Sequence, residues 1–185
     1  WDRKSFAGVE LSGKRAGVIG FGRIGREVAA RCKAFGMEVA AYDPFVAPAV
    51  AEALGVALLP LDELLSSSDF LTLHTTLTKE SRYLLGQEAF AKVKPGVRIV
   101  NAARGELIDP EALLAALESG RVAGAALDVH HEEPPRDWRL AQHPKVVATP
   151  HVGAQTAEAQ ERVGTDIALQ VRDFLKGGVI SSAVN

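Results

Sequence analysis

A chain of 185 residues with 47% apolar and 24% charged residues is long enough to bury a sizeable core and too evenly mixed to stay disordered. A formal net charge of -2 and the lack of any Lys or Arg run leave no electrostatic footprint for a phosphate backbone, which argues against nucleic acid as a partner. No apolar stretch approaches the roughly 18 residues of a membrane span, and the opening WDRKSFAGVE has no hydrophobic signal core, so a soluble, cytoplasmic protein with no membrane partner is expected.

Apolar, β-rich runs alternate along the chain with longer segments of helical period, the pattern of βαβ units that build a parallel sheet covered on both faces. Arg15 to Ile19 predicts a first strand, followed by a glycine turn and a helix over Ile24 to Phe35 that stops at Gly36. Val39 to Tyr42 predicts the second strand. PAVAEALG then suggests a short helix ending at Gly55, and LDELLSSSD another that leads into a strand at Phe70 to Leu73. Arg98 to Asn101 is a further strand. The helix after it carries its own punctuation, with Asp109 as N-cap, Pro110 at the first helical position and Gly120 just past the end. Ala123 to Asp128 and Val146 to Ala148 complete the strands. Thr156 to Lys176 predicts a long closing helix with Val163, Ile167, Val171 and Phe174 on one face. The single cysteine, Cys32, sits among apolar residues of the first helix and reads as a packed thiol with no disulfide.

Gly20, Gly22 and Gly25 form G-F-G-R-I-G between the first strand and the first helix. In that context the first glycine permits a tight turn, the second lets a pyrophosphate approach the backbone, and the third lets helix and strand pack closely. The helix N-terminus adds N–H groups for the phosphates. Asp43 closes the second strand, where a carboxylate accepts hydrogen bonds from ribose hydroxyls and repels a 2'-phosphate. No Arg or Lys follows in PFVAPAV, so the expected cofactor is NAD and not NADP. The fold class expected is α/β, a Rossmann-type doubly wound parallel sheet forming a single domain over residues 1–185.

Three ionisable residues lie at or beyond the carboxyl ends of late strands: Arg104 in NAARGELID, Glu133 in LDVHHEEPP and His151 in TPHVGAQT. Interconverting a 2-hydroxy acid and its 2-keto acid needs a cation for the carboxylate and a group that exchanges the hydroxyl proton, beside a nicotinamide that exchanges the hydride. Arg offers a planar fork for the carboxylate. A carboxylate beside a histidine favours the imidazolium and tunes it to exchange protons near neutrality. The long irregular stretch from Val129 to Lys145 follows a strand's carboxyl end, where open α/β sheets bind ligands. Its cluster His130, His131, Glu132 and Glu133 has no metal-ligand spacing, and no metal site is expected. His74 and His143 read as strand-end and loop histidines.

At these residues the sequence resembles the D-2-hydroxyacid dehydrogenase family, along GKRAGVIGFGRIGREVA, HTTLTKES, VNAARGELID, ALDVHHEEPP and PHVGAQT, and in the separations among Arg104, Glu133 and His151. The resemblance implies Arg104 as substrate binder, Glu133 as the histidine's partner and His151 as acid and base. It also implies that Arg23, Ile24, Thr75, Ala102, Ala103, Arg104 and Asp128 line the cofactor, with Asp128 near the nicotinamide carboxamide and His151, Gly153 and Ala154 beside the ring. AYDPFV, GVALLPLDELL, TAEAQERVGTDIALQVRDFLKGG and SSAVN are similar to the subgroup that oxidises D-3-phosphoglycerate, the first step of serine biosynthesis. Other substrates of the family (glycerate, glyoxylate or lactate) stay open, as does a corepressor-like module that senses NAD. Thr76 and His130 depart from the family's usual Pro and aromatic residue. The resemblance further implies a homodimer through this domain, in keeping with the apolar Trp1, and a substrate domain outside the chain, to which residues 1–9 and 177–185 would lead; alone, the chain would bind NAD without appreciable turnover.

Overall fold

The computed structural model describes Trp1, residues 7–178 and Ile180, and divides into two compact units, Trp1–Pro150 and His151–Asn185. In the first, β1 (Arg15–Ile19), β2 (Glu38–Tyr42), β3 (Ala57–Leu58), β4 (Phe70–Leu73), β5 (Val97–Asn101), β6 (Val122–Leu127) and β7 (Val146–Ala148) form one sheet. Its order is β3-β2-β1-β4-β5-β6-β7, and every neighbouring pair is parallel. The chain reverses its direction of travel across the sheet between β1 and β4, which is the switch point where α/β sheets of this kind open a ligand crevice.

Both faces of the sheet are covered. Val18 and Ile19 are adjacent in β1 and so point to opposite faces. Val18 packs in a cluster with Phe21, Ala29, Ala41, Ala51 and Val56, beneath α1 (Arg23–Ala34) and α2 (Pro48–Glu52). Ile19 packs with Leu71, Leu73 and Ile99 against Leu64 and Leu65 of α3 (Leu61–Ser67), Ala89 and Phe90 of α4 (Gln87–Lys92), and Leu113 and Leu117 of α5 (Pro110–Glu118). Each fully buried Leu or Ile contributes about 1.5–3 kcal/mol relative to exposure. The capping expected of α5 is present: Asp109 Oδ1 accepts the N–H of Glu111 at 3.0 Å and of Ala112 at 3.2 Å, and Gly120 has φ +77°. Such a cap is worth about 1 kcal/mol.

The predicted strands all form, with ends moved by at most one residue. The elements that sequence patterning does not reveal are β3, α4 and a 3-10 turn over Gly105–Leu107. Two residues are too few to show alternation, and α4 is shorter than two full turns with only Ala89 and Phe90 buried, so no helical period can register.

In the second unit, α6 (Ala157–Gly177) begins at Thr156, whose Oγ1 accepts the Ala159 N–H at 3.1 Å. It ends at Gly178, whose left-handed backbone lets its N–H reach the Phe174 carbonyl at 2.8 Å. Val163, Ile167, Val171 and Phe174 are exposed.

Candidate functional site

The register of the sheet sets its carboxyl edge. Ile19 pairs with Tyr42 and Leu73, Leu73 with Asn101, Asn101 with Leu127, and Leu127 with Ala148. The residues that follow these strand ends therefore share one edge: Gly20, Asp43, His74, Ala102, Asp128 and Thr149.

The glycine turn is built by close backbone approaches. Gly20 has φ +92°, and a Cβ on it would stand 2.5 Å from the Thr75 nitrogen. A Cβ on Gly25 would stand 2.1 Å from the Gly20 carbonyl oxygen, so the start of α1 lies directly on the turn. Gly22 is different. A Cβ there would meet no protein atom within 4 Å, and it would occupy the open space into which the turn faces. No side chain caps the first turn of α1 and no acidic residue lies in it, so its amides and the positive end of its dipole are available to an anion. Arg23 and Ile24 are exposed at this end. An uncapped, open, glycine-lined helix start fits a dinucleotide's pyrophosphate.

Asp43 is held by two backbone amides. Its Oδ2 accepts the Phe21 N–H at 2.8 Å and its Oδ1 accepts the Phe45 N–H at 2.9 Å. Gly20 N–H donates to the Tyr42 carbonyl at 2.9 Å, so turn and strand end are joined twice. Across the switch point, His74 N–H donates to the Ile19 carbonyl at 2.7 Å, and its Nε2 lies 2.8 Å from Thr72 Oγ1. Burial pushes the His74 imidazole below its ordinary pKa, towards the neutral form. Thr75, which follows it, is half-buried with its backbone against Gly20. His143 is a loop histidine whose Nδ1 accepts the Lys145 N–H at 3.1 Å.

Beyond β5 the chain turns on a residue that sequence reasoning overlooked. The Asn101 side chain is buried; its Oδ1 accepts the Ala103 N–H at 3.1 Å and its Nδ2 donates to the Arg104 carbonyl at 2.9 Å. An Asn at a strand end, before small residues, is a sequence signal for such a side-chain-braced turn. Ala102 and Arg104 are exposed, and Arg104 Nη1 donates to the Ala103 carbonyl at 2.6 Å.

Beyond β6, Asp128 Oδ1 accepts the Thr149 Oγ1–H at 2.5 Å, and the Asp128 N–H donates to the Asn101 carbonyl at 2.9 Å. Glu133 Oε1 accepts the His130 N–H at 3.1 Å. A cavity of about 310 Å³ opens between α5 and the stretch after β6, lined by Leu113, Val129, Pro135 and Leu140 among others. Its lining excludes the glycine turn and Asp43, so it is separate from the candidate cofactor cleft. Arg139 ties its rim to α5 through ion pairs with Asp137 and Glu111.

His151, Gly153 and Ala154 open the second unit. His151 adopts φ +58°, uncommon for a residue with a side chain, and a turn follows in which the Gln155 N–H donates to the Val152 carbonyl at 2.9 Å. Gln160 Nε2 donates to the Ala154 carbonyl at 3.2 Å. The structure thus gathers Gly20, Gly22, Gly25, Asp43, Thr75, Ala102 and Asp128 along one edge, with Arg104 and Glu133 in the loops that leave it.

Residues 1–153 match the family described as D-isomer specific 2-hydroxyacid dehydrogenase, NAD binding domain. The whole chain is 54% identical to D-3-phosphoglycerate dehydrogenase of Rattus norvegicus and 51% identical to that of Bacillus subtilis (strain 168). It spans about a third of their length, 35% in both cases. Among solved structures, a glyoxylate reductase from Paecilomyes thermophila matches with a TM-score of 0.93 and 38% identity, over 100% of this chain and 56% of that one. D-Lactate dehydrogenase from Aquifex aeolicus, complexed with NAD and lactic acid, matches with a TM-score of 0.87 and 34% identity, over 96% of this chain and 58% of that one.

Proposed function

Because the chain belongs to the D-isomer specific 2-hydroxyacid dehydrogenases as their NAD-binding domain, we propose that it supplies the cofactor half of an enzyme that oxidises D-3-phosphoglycerate to 3-phosphohydroxypyruvate. The observation that carries the substrate assignment is the identity of 54% and 51% along all 185 residues with two D-3-phosphoglycerate dehydrogenases, from a mammal and from a bacterium. The solved neighbours named for glyoxylate and lactate are 38% and 34% identical.

Gly20, Gly22 and Gly25 would hold the pyrophosphate, with Arg23 and Ile24 over it, and Asp43 the adenosine ribose. Thr75, Ala102, Ala103 and Asp128 would line the nicotinamide end, as would Gly153 and Ala154. When bound, NAD accepts the hydride from the carbon that bears the hydroxyl. Arg104 would fork its guanidinium onto the substrate carboxylate, and its Nε and Nη2 donors leave Nη1 on the Ala103 carbonyl. A His151 ring nitrogen would take the hydroxyl proton, and the Glu133 carboxylate would stabilise the imidazolium that results. Support for these three roles comes from residue type and spacing in the sequence. We also propose a cytoplasmic homodimer that contacts through this domain, supported by the exposed Trp1; a monomeric mass in sedimentation would overturn it.

Steady-state assays of the intact protein with D-3-phosphoglycerate, D-glycerate, D-lactate and glycolate test the substrate assignment. The phosphorylated substrate should have the highest kcat/KM. Preference for an unphosphorylated acid would reassign the activity within the family. His151→Ala should lower kcat by roughly 10²- to 10⁴-fold, the range for loss of one acid/base group, with NAD affinity kept. Near-normal turnover across pH would discard its role.

A further inference from the structure

We infer that the cavity between α5 and the stretch after β6 is a second ligand site, distinct from the cofactor edge, that takes a neutral, apolar compound of about two fused rings. Its volume is about 310 Å³. A dry apolar cavity of roughly 150 Å³ takes one benzene ring, and ligand pockets run from about 300 to 1,000 Å³. The walls are hydrocarbon: Ile108 ahead of α5, Leu113 within it, Leu127 and Val129 at and beyond the end of β6, and Leu140 from the far side. Ile108, Leu113, Leu127 and Val129 are themselves buried, so the core holds most of this wall in place.

The charged groups at the mouth set the class of ligand. Arg139 is shared between Glu111 and Asp137, with Asp137 Oδ2 2.6 Å from its Nη2, and Arg136 Nε lies 3.3 Å from Glu132 Oε2. Three carboxylates against two guanidiniums leave the rim with one net negative charge and both cations engaged, so it repels an anion. Deeper in, the Asn101 amide is spent on the Ala103 N–H and the Arg104 carbonyl. An occupant therefore meets hydrocarbon, and the transfer of its apolar surface out of water drives it in. The cavity also touches the turn that carries Arg104. Gly105, which follows Arg104, lines it, and on another side the His130 peptide closes on Gly105, its oxygen 2.0 Å from where a Cβ would stand. A compound in the cavity closes the open side of that turn and narrows its motion, which preorganises the guanidinium for a substrate carboxylate.

The binding claim stands without the dehydrogenase reading above, and the coupling to Arg104 rests on it. In the intact wild-type protein saturated with NAD, indole should bind with a Kd of roughly 1 mM or below. It should shift the methyl resonances of Leu113, Val129 and Leu140 and leave in place those of Val18 and Val56, beneath α1 and α2. Indole-3-acetate, the same rings with a carboxylate, should bind more weakly by roughly tenfold or more. Displacement of indole by NAD, shifts confined to other methyls, or equal affinity for the anion would overturn the site. Ala141→Phe, at the cavity wall, should fill the space and abolish the shifts with NAD affinity kept, and unchanged shifts in the folded variant would count against it. In steady-state assays, saturating indole should lower KM for the 2-hydroxy acid about fivefold, the low end of coupling between sites, and an unchanged or raised KM would overturn the coupling. Absence of turnover with every 2-hydroxy acid would defeat the dehydrogenase reading and leave the methyl shifts to decide the site.

Discussion

The Asp43 carboxylate accepts the backbone N–H of Phe21 at 2.8 Å, so the side chain that ends β2 also braces the glycine turn that ends β1. Asp43 thus stiffens the turn, and the second task proposed for it is to accept hydrogen bonds from a ribose. Asp43→Ala should weaken NAD binding on the order of tenfold or more, since a hydrogen bond to a charged group is worth about 1.5–3 kcal/mol. It should also narrow the preference for NAD over NADP. Titration of the wild type and the variant with both dinucleotides checks this, and tighter binding of NADP by the wild type would remove Asp43 from the cofactor assignment.

Gly22 and Gly25 should respond to alanine in opposite ways. At Gly25 the new methyl meets the Gly20 carbonyl oxygen at 2.1 Å, so helix and turn must separate, an overpacking cost of about 1–3 kcal/mol. At Gly22 the methyl meets nothing in the protein, so stability should hold while NAD affinity falls. Paired melting curves and NAD titrations separate the two effects. A Gly22→Ala protein that binds NAD as the wild type does would show that the pyrophosphate lies elsewhere.

The parallel sheet and its glycine turn were legible in the sequence because both depend on local signals. Alternating runs of strand and helix give the parallel sheet, and Gly20, Gly22, Gly25 and Asp43 report their backbone constraints through residue type. Asn101 and His130 were not legible in the same way. Asn101 acts locally, across its own turn, and His130 reaches Thr149 past one further strand, β7. A side chain whose partner is set by tertiary register leaves no periodic trace. The short β3 and α4 were missed for the simpler reason that neither is long enough to show a period.

Acid should loosen the β1–β4 junction through Asp69. Its Oδ2 accepts the Arg15 N–H at 2.9 Å and its Oδ1 takes Lys94 Nζ at 2.7 Å. Partial burial raises its pKa, but the Arg15 amide and the Lys94 ammonium outweigh that and hold the carboxyl below its ordinary value. A carboxylate depressed in the folded state binds fewer protons there than in the unfolded chain. Its stabilisation is complete above the unfolded value of about 3.9 and is lost as pH falls through the folded value. Asp69→Asn should therefore lower the melting temperature at pH 7, and the gap to wild type should shrink as the pH drops below that of ordinary carboxylates. A gap that stays constant down to acid unfolding would show that the Asp69 charge contributes nothing.

Asn101 offers the sharpest test of how the turn that carries Arg104 is held. Its amide satisfies two backbone groups of opposite kind, the Ala103 N–H through Oδ1 and the Arg104 carbonyl through Nδ2, in a position 1% exposed. Asn101→Asp keeps the acceptor for Ala103 but sets a second oxygen against the Arg104 carbonyl, whereas Asn101→Ala leaves both backbone groups unpaired. Leaving a buried polar group unsatisfied costs about 1–3 kcal/mol, so both variants should melt below the wild type. Because the Arg104 carbonyl belongs to the residue proposed to hold the substrate carboxylate, its displacement should raise KM for the 2-hydroxy acid; Ala102 and Ala103, proposed to line the nicotinamide end, share the turn, so KM for NAD should rise too, but by less, since the proposed pyrophosphate turn lies at β1. Asn101→Asp should suffer a larger change in substrate KM than its melting temperature alone implies, since repulsion pushes the Arg104 peptide outward. Steady-state kinetics with each substrate varied in turn, alongside melting curves, measure the two effects on one sample. Equal rises in both KM values, or unchanged kinetics in a destabilised protein, would show that Asn101 serves the fold and not the placement of Arg104.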